Sequence, residues 1–439
     1  MKKLMERVLN ELSDHKAQGD LICTLSRSLK MSAQNGAISE YKVSGSQILG
    51  LRVIKNDRVG IAYSEATDDE SLQLMVHQAL DNAEQSEIHE YEKILELSGE
   101  LLDHADYSDP ETDMSVKTQL ALDLEGKIKE RDPRVKAVPY NSFSEIQSQS
   151  MYLSSYGRFT SFRDKSYTIT SSALMEERGK KASFYDFQSE HTFKELDLNK
   201  VIEKSLFHAT NILKEKTLPT GKYTVMFNPD SLKNLIECFS NLYSAKASLD
   251  KINPWSDKLG ELVASQEISL SDEPNFHRAF RKSLFDSEGV ERSELTLIEN
   301  GVLKSLYHNS VTARKLGTRT TGHASRGPGS SLGISGTHLI LRGHGTKPLP
   351  SRYLEVIQMD GLFSGANRVT GQFSVAVKGY VWESGERVMT FGLCTLSGNL
   401  IDLLKTAEVT GSELHSSTDK SFFTVPLVFH DLSIAGEKS

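Results

Sequence analysis

The 439-residue chain is poor in cysteine, in basic charge and in long apolar runs, and each shortage excludes a class of protein. Its three cysteines, Cys23, Cys238 and Cys394, are far apart and odd in number, so there is neither a disulfide framework nor a CxxC zinc ribbon. They read as reduced, small, buried hydrophobes. No apolar stretch approaches the ~18 residues that a membrane helix needs, and no membrane partner is expected. Lys and Arg number 51 against 59 Asp and Glu, a formal net charge of −8. Duplex-binding surfaces gain most of their affinity by neutralising phosphates, so this balance, with no Lys/Arg block, argues against direct nucleic-acid binding. Glu6 and Arg7 interrupt any apolar leader, and together with the reduced thiols they predict a cytoplasmic protein. Catalytic signatures are also scarce. None of the 13 histidines forms HExxH or a pair at four-residue spacing. The glycine-rich run 327–345 fits neither the P-loop nor the dinucleotide fingerprint, and there is no GxSxG elbow.

What the chain does have is an ordinary folded composition, 38% apolar and 25% charged, over a length that suggests two or three domains at roughly 100–200 residues each. Glycine divides it. Of 30 glycines, 9 fall in residues 1–219 and 21 in 220–439. The Pro/Gly punctuation at 216–221 makes a seam, predicting an α+β domain over 1–217 and a β-rich domain over 218–439, an α+β fold class overall. In the first half, Leu4, Val8, Leu9 and Leu12 give a helical stripe. Runs 48–55 and 58–64 flank Asn56-Asp57 as a hairpin. Thr67 with Glu70 reads as a capping box for a helix carrying Leu72, Val76, Ala79, Leu80 and Ala83. Val116, Leu120, Leu124 and Ile128 predict another helix, stopped at Asp132-Pro133. Segments 147–155 and 166–173 read as partly exposed strands. Leu198, Ile202, Leu206, Ala209 and Leu213 predict a long helix before the seam. In the second half, a strand over 222–227 leads into a helix started by Asn228-Pro229-Asp230. Asn300-Gly301 and Ser384-Gly385 each mark a hairpin. Asn399 caps a helix with Gly411 beyond its end, and 422–429 reads as the final strand.

The order of short motifs carries more than any one of them. Leu218-Pro219-Thr220-Gly221-Lys222-Tyr223 is followed by Gly260-Glu261-Leu262-Val263-Ala264-Ser265, then Phe285-Asp286-Ser287-Glu288-Gly289-Val290 and Ile298-Glu299-Asn300-Gly301-Val302-Leu303. Ala313-Arg314-Lys315-Leu316-Gly317, Thr321-Gly322-His323-Ala324 and Ser397-Gly398-Asn399-Leu400 complete the series. It closely resembles the TldD/TldE family, whose TldE member is also called PmbA. The resemblance covers the second half and extends weakly to the helix at 67–83. It implies a curved, mostly antiparallel second domain and a pairing of two related chains. TldD-like chains carry an HExxxH helix and a cysteine near the C-terminus. Two histidines and the cysteine hold zinc, and the glutamate serves metal-bound water as general base. TldE-like chains share the fold without those ligands.

Counting back from the shared 260–265 motif places the HExxxH window at residues 236–241 of this chain. Ile236 and Asn241 stand where the imidazoles would be, and only Glu237 survives. The cysteine position falls near Ser416-Ser417-Thr418, with no thiol. The resemblance therefore implies a TldE-like subunit with no zinc of its own, zinc in a TldD-like partner, and unfolded peptides as substrate. Arg314, Gly322 and His323 are expected at a groove or interface. The glycine-rich 317–345 segment and the 147–173 strands are the expected contact regions for pairing, with itself or with the TldD-like chain. Two rival readings follow from the same sequence: a binding protein that modulates DNA gyrase, which the negative charge disfavours, and an independent hydrolase, for which no nucleophile or acid–base set is visible.

Overall fold

Period-two alternation builds the first sheet. The computed structural model describes residues 1–103, 109–345 and 347–437. Strand Gln18–Gln34 buries Leu21, Cys23, Leu29, Met31 and Ala33, all on one face. It pairs antiparallel with Ala37–Lys55 on one side and Ser142–Ser154 on the other. Arg58–Ser64 extends the sheet through the Asn56-Asp57 turn, whose positive φ values of 52° and 60° suit a two-residue hairpin. Arg158–Glu177 lies beyond Ser142–Ser154 and carries Gly99–Asp103 in parallel, with Val135–Ala137 and Lys180–Glu190 antiparallel. The sheet has eight strands.

Two expectations for this half are corrected. The Ser/Thr-rich segments 147–155 and 166–173 are inner ladders of the sheet; the first is partly exposed as expected, with Gln147 and Ser155 exposed, and the second is mostly buried. Ser166, Ser171 and Ser172 are buried, and Ser171 Oγ donates to the Leu124 carbonyl of a covering helix at 3.0 Å, which removes the penalty of burying a hydroxyl. The second helix, Asp69–Gln85, is capped one residue later than the capping box predicts: the Asp68 carboxylate accepts from the Ser71 N–H at 2.9 Å. An ionised acceptor at a helix N-terminus outcompetes the Thr67 hydroxyl. Helix Lys2–Asp14 buries its predicted stripe. Helix Met114–Arg131 packs Leu120, Leu124 and Ile128 of its predicted stripe inward, leaves Val116 exposed, and also buries Ala121, Lys117 and Glu125. Lys117 pairs with Glu145 at 2.6 Å, and Glu125 accepts the backbone N–H groups of Asn35 and Gly36. Helix Leu198–Ile212 follows its prediction.

The second half combines a six-stranded sheet with a closed barrel. The sheet runs Val302–Leu303, Leu295–Glu299, Ile268–Asp272, Leu339–Gly343, Phe422–Thr424 and His415–Ser416, with His415–Ser416 at the edge. In the barrel, Glu386–Asn399, Gln372–Glu383, Arg352–Asp360, Gly221–Phe227 and Leu427–Ala435 pair in turn, and Thr395–Ser397 closes it on Ser433–Ala435. Most ladders are antiparallel; Arg352–Asp360 with Gly221–Phe227 and Leu339–Gly343 with Phe422–Thr424 are parallel. The predicted final strand is two strands. Pro426, without an N–H to donate, separates Phe422–Thr424 from Leu427–Ala435, and they join different sheets. The Asn399-capped helix ends at Thr406 and passes directly into Glu408–Val409, so Gly411 terminates nothing. Helix and strand segregate as an α+β fold.

The halves meet on a buried ionic cluster. Arg52 donates to Asp20 from Nε at 3.2 Å and from Nη2 at 2.5 Å, and Arg326 of the glycine-rich segment donates to the same carboxylate at 2.6 Å. All three side chains are inaccessible to solvent. Close by, Pro328 lies over Gly50, where a Cβ would come within 2.2 Å of its backbone.

Candidate functional site

The helix that carries the motif window is positioned by its first turn. Strand Gly221–Phe227 ends at Asn228, whose side chain accepts from the Ser231 N–H at 2.8 Å, and Pro229 occupies the first helical position. Asp230 then grips the loop before the final strands. Its two oxygens accept the Thr418 N–H at 2.7 Å and the Thr418 hydroxyl at 2.8 Å. Lys204 reaches the same hydroxyl at 3.1 Å and Asp186 at 2.8 Å. Lys233 contacts Asp419, and Glu237 lies 3.7 Å from the same ammonium. The two regions assigned to the ligand set by resemblance are therefore brought together, and a lysine ammonium bridges two carboxylates there. Burial raises the Glu237 carboxyl above its ordinary range, Asp419 adds to this and Lys233 opposes it. Asp419 is held low: burial acts against it, but Lys233, Ser417 and Ser421 outweigh that.

The donor set does not fit zinc. Ile236 is 1% exposed and packs into the main core of the second half. The helix ends at Cys238, and Asn241 lies in a separate 3-10 turn, Ser240–Tyr243. The Asn241 amide donates to the carbonyls of Ile252 and Arg368 at 2.8 and 2.9 Å, so it ties two loops together. Among the described residues no three His, Cys, Asp or Glu side chains converge as a metal site.

A cleft of about 630 Å³ opens beside this helix, between the two halves. One wall is Asp186–Glu190 on strand Lys180–Glu190, with Lys200, Val201 and Lys204 of the neighbouring helix. The other is Met226–Asp230 and Leu414–Thr418, with Glu355 on the barrel. Lys180–Glu190 is paired only with Arg158–Glu177, and His415–Ser416 only with Phe422–Thr424, among the described residues. Two strand edges from different sheets thus contribute to one cleft. Asp186 is buried, and that burial raises its carboxyl despite Lys204.

Arg314, Gly322 and His323 do not line this cleft. His323 is fully buried. Its Nδ1 meets the Thr321 hydroxyl at 2.9 Å, its ring lies 4.4 Å from that of Tyr307, and its Nε2 is 3.5 Å from Asp272. Tyr307 and Thr337 also donate to Asp272, at 2.8 and 2.6 Å from the phenol and the backbone N–H. Burial works against the Asp272 carboxylate, but His323 and Thr337 keep it below its usual range. The groove assignment of His323 is corrected on this ground: the ring is fully buried, with Nε2 facing the buried Asp272 carboxylate. Gly322 supplies a φ of 72° beneath the Glu291 carbonyl. Arg314, half-buried, donates to the Tyr91 carbonyl across the halves at 3.0 Å.

The 285–290 motif has a similar role. Asp286 accepts backbone N–H groups from Glu288, Val290 and Ala324. Glu288 holds Ser310, and the Gly289 carbonyl accepts from Arg158 at 2.8 Å. The expected pairing regions also face inward in part: the glycine-rich segment docks on the chain's own first half through Arg326 and Pro328. Sequence reasoning missed this ionic cluster. Its signal was Arg52, the one charge within the apolar run 48–54.

Comparison with known proteins matches the chain to three family models. The chain matches models described as PmbA/TldA metallopeptidase domain 1 over residues 19–83, the central domain over 107–213 and the C-terminal domain over 220–436. It is 25% identical to a metalloprotease PmbA homolog of Haemophilus influenzae, covering 89% of this chain and 86% of that protein. It is 22% identical to metalloprotease PmbA of Escherichia coli O157:H7, over 99% and 97% of the two chains. The fold is shared with TldE from Thermococcus kodakarensis, at a TM-score of 0.84, 20% identity and coverage of 99% and 100%.

Proposed function

The chain belongs to the PmbA/TldD metallopeptidase family, and from that premise we propose that it is a TldE/PmbA-type subunit. It has no zinc of its own, pairs with a TldD-like zinc-bearing chain in the cytoplasm, and holds unfolded peptide for that partner to cut. The observation that carries this reading is the juxtaposition of two strand edges across a cleft with a helix whose ligand positions are Ile236 and Asn241. A strand edge offers unpaired N–H and C=O groups that bond any extended backbone, which suits substrates of varied sequence. Peptide hydrolysis at neutral pH needs an activated water, and zinc supplies it by lowering the pKa of that water to about 7. Glu237 beside Lys233 has no such water to serve.

Mixing experiments test the proposal. A disordered peptide is incubated with this chain, with a TldD-like chain, and with both. The expected result is no cleavage by this chain alone and chelator-sensitive cleavage by the mixture, faster than by the partner alone. Chelator-sensitive cleavage by this chain alone overturns it.

A further inference from the structure

Glu355 of the cleft wall holds Trp382, and Trp382 lies against an arginine set among three aromatic rings. Arg387, exposed near the start of strand Glu386–Asn399, sets its guanidinium carbon 4.7 Å from the ring centre of Tyr380, 4.8 Å from Trp382 and 5.1 Å from Phe207. Those rings are themselves fixed. Trp382 stacks on Tyr353 at 5.9 Å and donates from Nε1 to Glu355 at 2.7 Å. The Tyr380 hydroxyl meets His208 Nδ1 at 2.7 Å. Yet among the described residues no carboxylate pairs with Arg387, and no protein acceptor takes its guanidinium N–H groups. Stacking on rings orients a guanidinium without using its in-plane donors, and that donor fork matches a carboxylate bidentately.

Its position gives the fork a use. Lys200, Val201 and Lys204 line one wall of the cleft, and Phe207 is the next residue along that helix face. Glu355 lines the opposite wall and pairs across strands with Tyr380. Phe207 therefore continues the helix face past Lys204, and Tyr380, buried beside Glu355, backs the opposite wall, with Arg387 against both rings.

We propose that Arg387 binds a carboxylate at the end of the cleft, either the C-terminus or an acidic side chain of the bound peptide. The inference rests on the reading of the cleft as a peptide site. Glu355, committed to Trp382, repels a second carboxylate from deeper positions and directs it to Arg387.

Fluorine NMR of the full chain tests this. The chain has two tryptophans, so 5-fluorotryptophan gives two resonances, assigned with Trp382→Phe. Trp255 is buried in the core and serves as the internal control. N-acetylglycine is expected to move the Trp382 resonance saturably and leave Trp255 in place. N-acetylglycinamide should move neither, and Arg387→Gln, with unchanged melting temperature, should abolish the response. Disordered hexapeptides then identify the source: one with a free C-terminus, one amidated, and one amidated with a terminal glutamate. Arg387→Gln should weaken whichever carboxylate-bearing peptide uses the site at least tenfold and leave the plain amide unaffected. No response to N-acetylglycine, or the same response in Arg387→Gln, overturns the proposal. Ser416→Phe, which fills the cleft, separates the two readings. If it leaves peptide binding intact, the cleft reading fails, while the N-acetylglycine result still decides the role of Arg387.

Discussion

Ile236 stands where the resemblance puts a histidine ligand. It is an anchor of the core, so Ile236→His would bury an imidazole without a partner. Ile236→His combined with Asn241→His is expected to destabilise the chain by about 2–4 kcal/mol in urea unfolding. It should retain no stoichiometric zinc after dialysis, because no thiol stands near Thr418. Zinc at one per chain in that variant would show that the window had been placed wrongly. Asp20 is a second residue on which much depends. Burial opposes its charge, but Arg52 and Arg326 more than compensate and hold the carboxyl below the ordinary range. Asp20→Ala leaves two guanidiniums buried without their shared acceptor. The expected loss is about 3–5 kcal/mol, read from urea unfolding. A loss under about 1 kcal/mol would mean that the arginines find water or another acceptor.

Hairpins show what could be read locally. Asn300-Gly301 was legible because positive φ at a two-residue turn is a property of those residues themselves. Its packing was not. Gly301 lies under the Gly260–Ser265 motif, donating to Ile268 and accepting from Val263 and Ala264. An added Cβ would come 2.4 Å from the Ala264 carbonyl at a φ of 80°. Gly301→Ala is expected to cost about 2–3 kcal/mol, well above the usual ~1 kcal/mol for a core-neutral change, measured by thermal and chemical unfolding. The same distinction explains the misreadings. Helix Met114–Arg131 buries Leu124 and Ile128 of its apolar stripe but exposes Val116 and buries Lys117 and Glu125, which find partners on a distant strand and in a distant turn. The resemblance puts His323 at a groove or interface, whereas its surroundings are set by Asp272, fifty-one positions earlier. Motif order identified the family, but it could not say that several of those motifs join the halves.

Across the whole molecule, His208 couples helix Leu198–Ile212 to the barrel through Tyr380, and its ring lies tilted against Phe184 at 4.3 Å. Burial, helped by Lys204 and Arg387, lowers its pKa to about 4. The folded chain therefore resists protonation that the unfolded chain accepts near pH 6.5. Stability from this group is complete above about pH 6.5 and is lost as pH falls towards 4. The loss is at most ~3 kcal/mol, since the ring is partly exposed. His208→Gln should flatten unfolding free energy between pH 7 and 4.5, and an unchanged slope would place the acid sensitivity elsewhere. The barrel has a consequence for the order of assembly. Strand Gly221–Phe227 sits between Arg352–Asp360 and Leu427–Ala435, so one of its ladders joins residues roughly two hundred positions apart. During synthesis the first sheet has all its strands by residue 190, while the barrel must wait for the last of the chain. Until Arg326 arrives, Asp20 and Arg52 hold each other, with Glu92 and Tyr152 beside them, on a face still open to water. A nascent chain paused before the final strand would thus present a finished sheet beside a collapsed, unclosed remainder, which is the form most in need of a chaperone.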